Sequence, residues 1–165
     1  MTTDGAQGTS VAAVAERAGV ARATVYRRWP SRSALIAAAA RASVGGRPLP
    51  LSGHVEADIR FAASFVQRSF DEPALPAMLP EIVRAVLASP RELSFDAVAP
   101  RRRELARIYR ERAALEGFRS DIDPNLPFDI ILGTAIAHLL ANGRPMSDAD
   151  ATRLGQVVIQ GLLAE

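Results

Sequence analysis

Arg27 and Arg28 stand side by side in the stretch "AGVARATVYRRWPSR", one turn after the small residues Ala23 and Thr24. An arginine fork can bind the O6 and N7 atoms of guanine bidentately, and small side chains let a helix approach base edges closely. Ala23, Thr24, Arg27 and Arg28 are therefore the residues expected to meet bases in the major groove of double-stranded DNA. Arg22 and Arg32 flank that group and suit phosphate oxygens, as do the Tyr26 hydroxyl and the helix N-terminus at Thr9 and Ser10. Two adjacent arginines are by themselves commonly no more than a solvated face. The spacing of their neighbours is what argues against that reading.

Such residues need a support that fixes their orientation. Ser10 is suited to cap a helix that runs to Ala18, where Gly19 stops it. A second helix is expected from about Arg22 to Trp29, ended by Pro30. Ser31 caps a third, "RSALIAAAARAS". Ala15 and Gly19 allow two short helices to cross closely, as a helix-turn-helix requires. Val11, Val14 and Ala18 give the first helix an apolar face, and Val20 is expected to plug the gap after the turn. On the second helix Val25 and Trp29 face inward with Tyr26 at the edge, while Thr24, Arg27 and Arg28 face outward beside Ala23.

Charge follows the same division. Residues 1–43 hold six arginines against Asp4 and Glu16, a balance of +4, and the remainder of the chain is at −2, giving the total of +2. A basic leading segment on a mildly acidic body suits contact with phosphate. Every basic side chain other than histidine is arginine.

The rest of the chain reads as all-α. "GGRPLPLSG" breaks the pattern as a hinge, which divides the chain into a helix-turn-helix DNA-binding domain at 1–46 and a larger helical domain at 47–165. In "HVEADIRFAASFVQRSF" the positions Val55, Ile59, Ala62, Phe65/Val66 and Ser69/Phe70 recur at helical spacing. Further helices are expected in "AMLPEIVRAVLAS", in "RELSFDAVAPRRRELARIYRERAALEG" with a kink at Pro100 and a stop at Gly117, in "FDIILGTAIAHLLANG", and in "ADATRLGQVVIQGLLAE". In "SDIDPN", Asp121 and Asp123 are read as a capped turn rather than a metal or acid–base pair. "RRRE" at 101–104 is read as a solvated stretch of helix.

Several classes of function are excluded or left without support. The chain has no cysteine, so disulfides, thiolate zinc sites and cysteine nucleophiles are ruled out. Its two histidines are far apart, and no glycine-rich phosphate loop or nucleophile motif is found. No catalytic residue, metal or cofactor is expected. No apolar run has the length of a membrane span, and the N-terminus lacks a signal-peptide pattern, so a cytoplasmic protein with no membrane partner is expected.

The stretch "TSVAAVAERAGVARATVYRRWPSRSALI" resembles the DNA-binding domain of the tetracycline-repressor (TetR) family of bacterial regulators. It carries tryptophan at 29 where phenylalanine is commoner in the family, and arginine at 32 where lysine is commoner. The resemblance extends to "GFRSDIDPNLPFDIILGTAIAHLLANGRPM" and the helix ending "QGLLAE". It implies a ligand-binding and dimerisation domain after the hinge. The expected function is thus a ligand-responsive transcriptional regulator, a repressor, that binds a DNA operator as a homodimer and responds to a small apolar effector. Positions read as pocket-lining are Phe61, Phe65, Met78, Ile82, Phe95 and Tyr109, with His138 as a polar contact; core packing is the competing reading of each. The last two helices are the expected dimer interface: Ile131, Ala135, Ile136, Leu139 and Leu140 on one, Leu154, Val157, Val158, Gly161 and Leu162 on the other, with Gly133 and Gly161 permitting close approach.

One departure bears on function. The family's domain opens with a helix of some fifteen residues ahead of the segment corresponding to "DGAQGTS", and this sequence lacks it. Val11, Val14, Val25 and Trp29 are then expected to lose apolar cover. Exposing ~200 Å² would cost about 5 kcal/mol, comparable to the stability of a small domain. A start upstream of Met1 is the preferred explanation, with an in-frame extension encoding the helix. The alternative is a ligand-binding and dimerisation module with a defective DNA-binding head.

Overall fold

The computed structural model describes residues 10–45, 50–72, 75–80, 83 and 99–164. Among them the protein is all-α, with seven named α-helices: α1 (Val11–Arg17), α2 (Arg22–Arg28), α3 (Arg32–Gly45), α4 (Val55–Asp71), α5 (Ala99–Arg112), α6 (Leu126–Asn142) and α7 (Asp148–Leu162). The one β feature among them is an isolated antiparallel bridge between Phe118 and Leu163. No helix of the described residues is long and apolar enough to cross a membrane.

The chain divides into two compact units, Met1–Arg47 with Glu72–Val98, and Pro48–Asp71 with Ala99–Glu165. In the first, local chemistry sets the element ends. The Ser10 hydroxyl accepts from Ala13 N–H at 3.0 Å and caps α1, and the Ser31 hydroxyl does the same for α3 through Ala34 N–H at 3.1 Å. Gly19 turns the chain at φ 65°, a left-handed conformation that costs a residue without a Cβ nothing. Trp29, ahead of Pro30, leaves the helix with φ −134° and ψ 95°, as the proline ring dictates. Val11, Ala15 and Val25 form the buried cluster, with Trp29 and Leu35 packed against it. Val11 and Val25 are thus covered rather than open, because Trp29 and Leu35 close over them. Val14 is half-buried, Ala18 is exposed and Val20 is 43% exposed, so the inward face of α1 runs through Val11 and Ala15 and the turn is not plugged by Val20. Residues 75–80 are helical, and Met78 is buried against Ile36 with Ala39 beside it.

The second unit is built around α4, which buries Val55, Ile59, Ala62, Ala63, Val66 and Phe70. This is the expected stripe, with Phe65 and Ser69 half-buried at its edge. Helix α7 crosses α4 closely at Gly155, where an added Cβ would lie 3.4 Å from Ala63 Cβ. The α4 N-terminus is tied down twice. The buried Asp58 carboxylate accepts from Ser52 N–H (2.6 Å), Ser52 O–H (2.8 Å) and Gly53 N–H (3.0 Å). Glu116 accepts from Val55 N–H at 2.8 Å and lies near His54 (3.4 Å) and Arg112 (3.2 Å). Burial pushes the Glu116 carboxyl up, but the Val55 N–H, Arg112 and His54 together hold it below its ordinary value.

Helix α5 ends at Arg112 and tightens into a 3₁₀ turn, Ala114–Glu116, before Gly117 at φ 77°. The proposed kink at Pro100 depends on residues 91–98, outside the described set. Asp123 accepts from Asn125 N–H (2.9 Å) and side-chain N–H (2.8 Å), while Asp121 pairs with Arg119 at 2.9 Å. The "SDIDPN" segment is accordingly a turn ahead of α6.

Candidate DNA-reading face and effector domain

On α2, Val25 is the buried residue and defines the inward direction. At about 100° per residue, Ala23 and Arg27 each lie about 160° from it, at the centre of the outward face. Thr24 and Tyr26 lie about 100° to either side, and Arg22 and Arg28 only about 60° from Val25. All six are exposed, Tyr26 by 50%. The expected grouping of Arg28 with Arg27 on the outward face is therefore corrected. Arg28 sits on the flank, its guanidinium 5.4 Å from the centre of the Trp29 ring. The reason is the helical repeat itself, which puts Arg28, three residues after Val25, on the flank; Trp29 leaves the helix before Pro30 with its ring beside that guanidinium. Arg22, Arg27 and Arg28 carry no ion pair among the described residues, which leaves their charge directed to solvent. Arg32 lies at the start of α3 and Ser10 at the start of α1; Thr9 falls outside the described residues.

In the second unit the Phe61 and Phe65 rings stack with centroids 6.2 Å apart. Tyr109 is buried and its hydroxyl donates to the Arg119 carbonyl at 2.7 Å; burial pushes its pKa up. His138 is half-buried, and its Nε2 is enclosed with no hydrogen-bond partner among the described residues. Met78 belongs to the first unit, where it is buried against Ile36. Ile82 and Phe95 lie outside the described residues. One residue of the group was missed in the sequence. Arg101 is 4% exposed with its guanidinium 4.6 Å from the Phe65 ring centre, and desolvation lowers its pKa. "RRRE" is thus not uniformly solvated: Arg101 shares the inward face of α5 with Leu105, Ile108 and Tyr109. The next residue, Arg102, reaches out to Asp129 of α6 with a bidentate pair at 2.6 and 2.5 Å.

The last two helices present two kinds of apolar position. Ile131, Ala135, Val158 and Leu162 are buried inside the unit, so another copy of the chain cannot reach them. Leu139, Ile136 and Leu154 are half-buried. The exposed apolar positions on α6 are Leu126 (40%), Ile130 (37%) and Leu140 (75%), and on α7 Val157 (65%). Gly133, Ala137 and Gly161 are exposed with them, and an added Cβ at Gly133 or Gly161 would meet nothing within 4 Å.

Two family models match this chain: bacterial regulatory proteins of the tetR family over residues 1–39, and the tetracyclin repressor-like C-terminal domain over residues 49–158. A search of curated proteins found no match. A helix-turn-helix head followed by a helical domain of this kind defines a DNA-binding transcriptional regulator. The second match spans more than half of the 165 residues, and the chain belongs to the TetR family.

Proposed function

We propose that the protein is a ligand-responsive repressor that binds a double-stranded DNA operator as a homodimer. The observation that carries this reading is the outward face of α2, where Ala23, Thr24 and Arg27 are exposed over a helix anchored by Val25. That face suits the major groove, and on this reading Arg22, Tyr26, Arg32 and Ser10 at the α1 N-cap meet phosphate, as Thr9, outside the described residues, is also expected to. A single reading head has one half-site; pairing two heads through a symmetric interface doubles the contact and fixes half-site spacing. The exposed row Leu126, Ile130, Gly133, Ala137 and Leu140 on α6, with Val157 and Gly161 and the half-buried Leu154 on α7, supports a four-helix pairing of two copies. A small apolar effector bound among the aromatic side chains of the second unit would act by favouring head spacings that no longer fit the operator, which requires different affinities for the two spacings. The described residues hold no cluster of three potential metal ligands, and the reading assigns the protein no catalytic or cofactor site.

The test is duplex selection from a random library by the full chain, followed by titration at several salt concentrations. The expected result is an enriched duplex bound about 10³-fold or more tighter than random DNA, with a steep fall in affinity as salt rises. Equally weak binding to every duplex overturns operator reading and favours an effector-binding and dimerisation module with an inactive head.

A further inference from the structure

We infer that the two adjacent arginines of α2 have separate tasks: Arg27 reads base edges, and Arg28, braced on Trp29, grips the DNA backbone at the rim of the groove. The inference rests on the proposal that α2 enters the major groove. Three observations on this chain separate the two side chains. Arg27 lies opposite the buried Val25, at the centre of the outward face, whereas Arg28 is turned toward the flank. The Arg28 guanidinium carbon lies over the Trp29 ring, 5.4 Å from its centre, and Arg27 has no ring contact among the described residues. Trp29 is itself packed on the Val11–Ala15–Val25 cluster, so the platform under Arg28 is fixed by the core of the head.

The stacking decides what Arg28 can do. A guanidinium lying on an aromatic face keeps its N–H donors in the plane of the group, pointing sideways. That edge can meet phosphate oxygens beside the helix, the approach for which Arg is favoured. It cannot also extend about 100° further round the helix, to the direction Arg27 takes, without leaving the ring. Arg27 has no such restraint and, with Ala23 one turn earlier on the same line, forms the base-reading row. Ala23 can approach a thymine methyl while Arg27 takes a guanine.

The duplex enriched by the wild-type chain provides the probe, with every single base-pair variant of it measured at several salt concentrations. Arg27→Ala is expected to erase preference at one G·C pair per half-site, a loss of discrimination of about 5- to 150-fold there. Arg28→Ala is expected to weaken binding to all variants by a similar factor and leave base preferences intact. It should also reduce the slope of log affinity against log salt by about 0.9 per protomer. Arg28→Lys keeps the charge and should restore the slope, and Trp29→Phe should weaken binding without changing any base preference. Thermal melts of each variant check that the head is folded. Loss of a base preference in Arg28→Ala, or a uniform weakening in Arg27→Ala, overturns the division of roles. Failure of the wild-type chain to enrich any duplex is a different result and overturns the groove reading beneath it.

Discussion

Leu140→Ala separates association from folding. Leu140 is 75% exposed in the single chain, so its truncation removes almost nothing from the protomer's own core. If the α6–α7 face pairs with a second copy, the same three carbons leave a buried interface. At about 0.8 kcal/mol per carbon, and counting only the exposed three-quarters, each copy loses about 1.8 kcal/mol. A two-fold axis repeats the loss in the partner, giving about 3.6 kcal/mol per dimer. With 1.4 kcal/mol per tenfold, the dimer dissociation constant should rise about 400-fold. Sedimentation equilibrium over a dilution series measures this, with denaturant unfolding at fixed low concentration as the control. Val158→Ala, at a neighbouring but buried position, should instead lower protomer stability by about 1–2 kcal/mol. A Leu140→Ala protein that self-associates like wild type would refute the assignment of this face. A large loss of protomer stability in that variant would refute the exposure argument itself.

Three further outcomes test the packing that holds the second unit. Asp58→Ala leaves three donors at residues 52 and 53 without their acceptor and should cost about 3 kcal/mol in urea unfolding, whereas Ser52→Ala should cost about 1 kcal/mol. Gly155→Ala places a methyl group in ordinary contact with Ala63 and should be neutral or stabilise by up to about 1 kcal/mol through helix propensity; Gly155→Val overfills the crossing and should cost about 1–3 kcal/mol. Either sign reversed in thermal unfolding would show that α4 and α7 do not approach closely there. Glu116 has a carboxyl held below its ordinary value in the folded chain. Its contribution is therefore present above the unfolded carboxylate range and lost as pH falls through the folded value. Glu116→Gln should flatten the acid limb of stability against pH below about pH 5, measured by denaturant midpoints.

The elements that depend on local chemistry were legible in the sequence. Ser10 and Ser31 announce helix starts through their own hydroxyls, and Gly19 and Pro30 end helices through backbone geometry, so no knowledge of the fold was needed to place them. The inward face of α6 was not legible. Ile130 and Ile131, or Leu139 and Leu140, are neighbours of equal hydrophobicity, and only the packing of the unit decides that Ile131 is buried while Ile130 and Leu140 are exposed. Arg101 was hidden for a related reason. Its burial depends on Phe65, 36 residues earlier on another helix, and "RRRE" alone carries no sign of it. The surroundings of Arg28 were half legible. Its charge and its place about 60° round from Val25 follow from the sequence and the helical repeat, but its contact with the Trp29 ring depends on a helix end whose geometry periodicity does not describe.

Trp29 is the single tryptophan of the chain, and it lies between the head's buried cluster and the Arg28 guanidinium. The protein therefore carries its own optical probe beside the proposed DNA-reading face. Indole emission from the whole chain reports on the DNA-binding head alone, with no tryptophan background from the second unit. If Arg28 shifts on its ring as phosphate arrives, the emission changes in step with docking. Binding of an effector to the second unit, by contrast, becomes visible in that signal only to the extent that it reaches the head, so one unlabelled cuvette experiment distinguishes occupancy of one domain from communication between two.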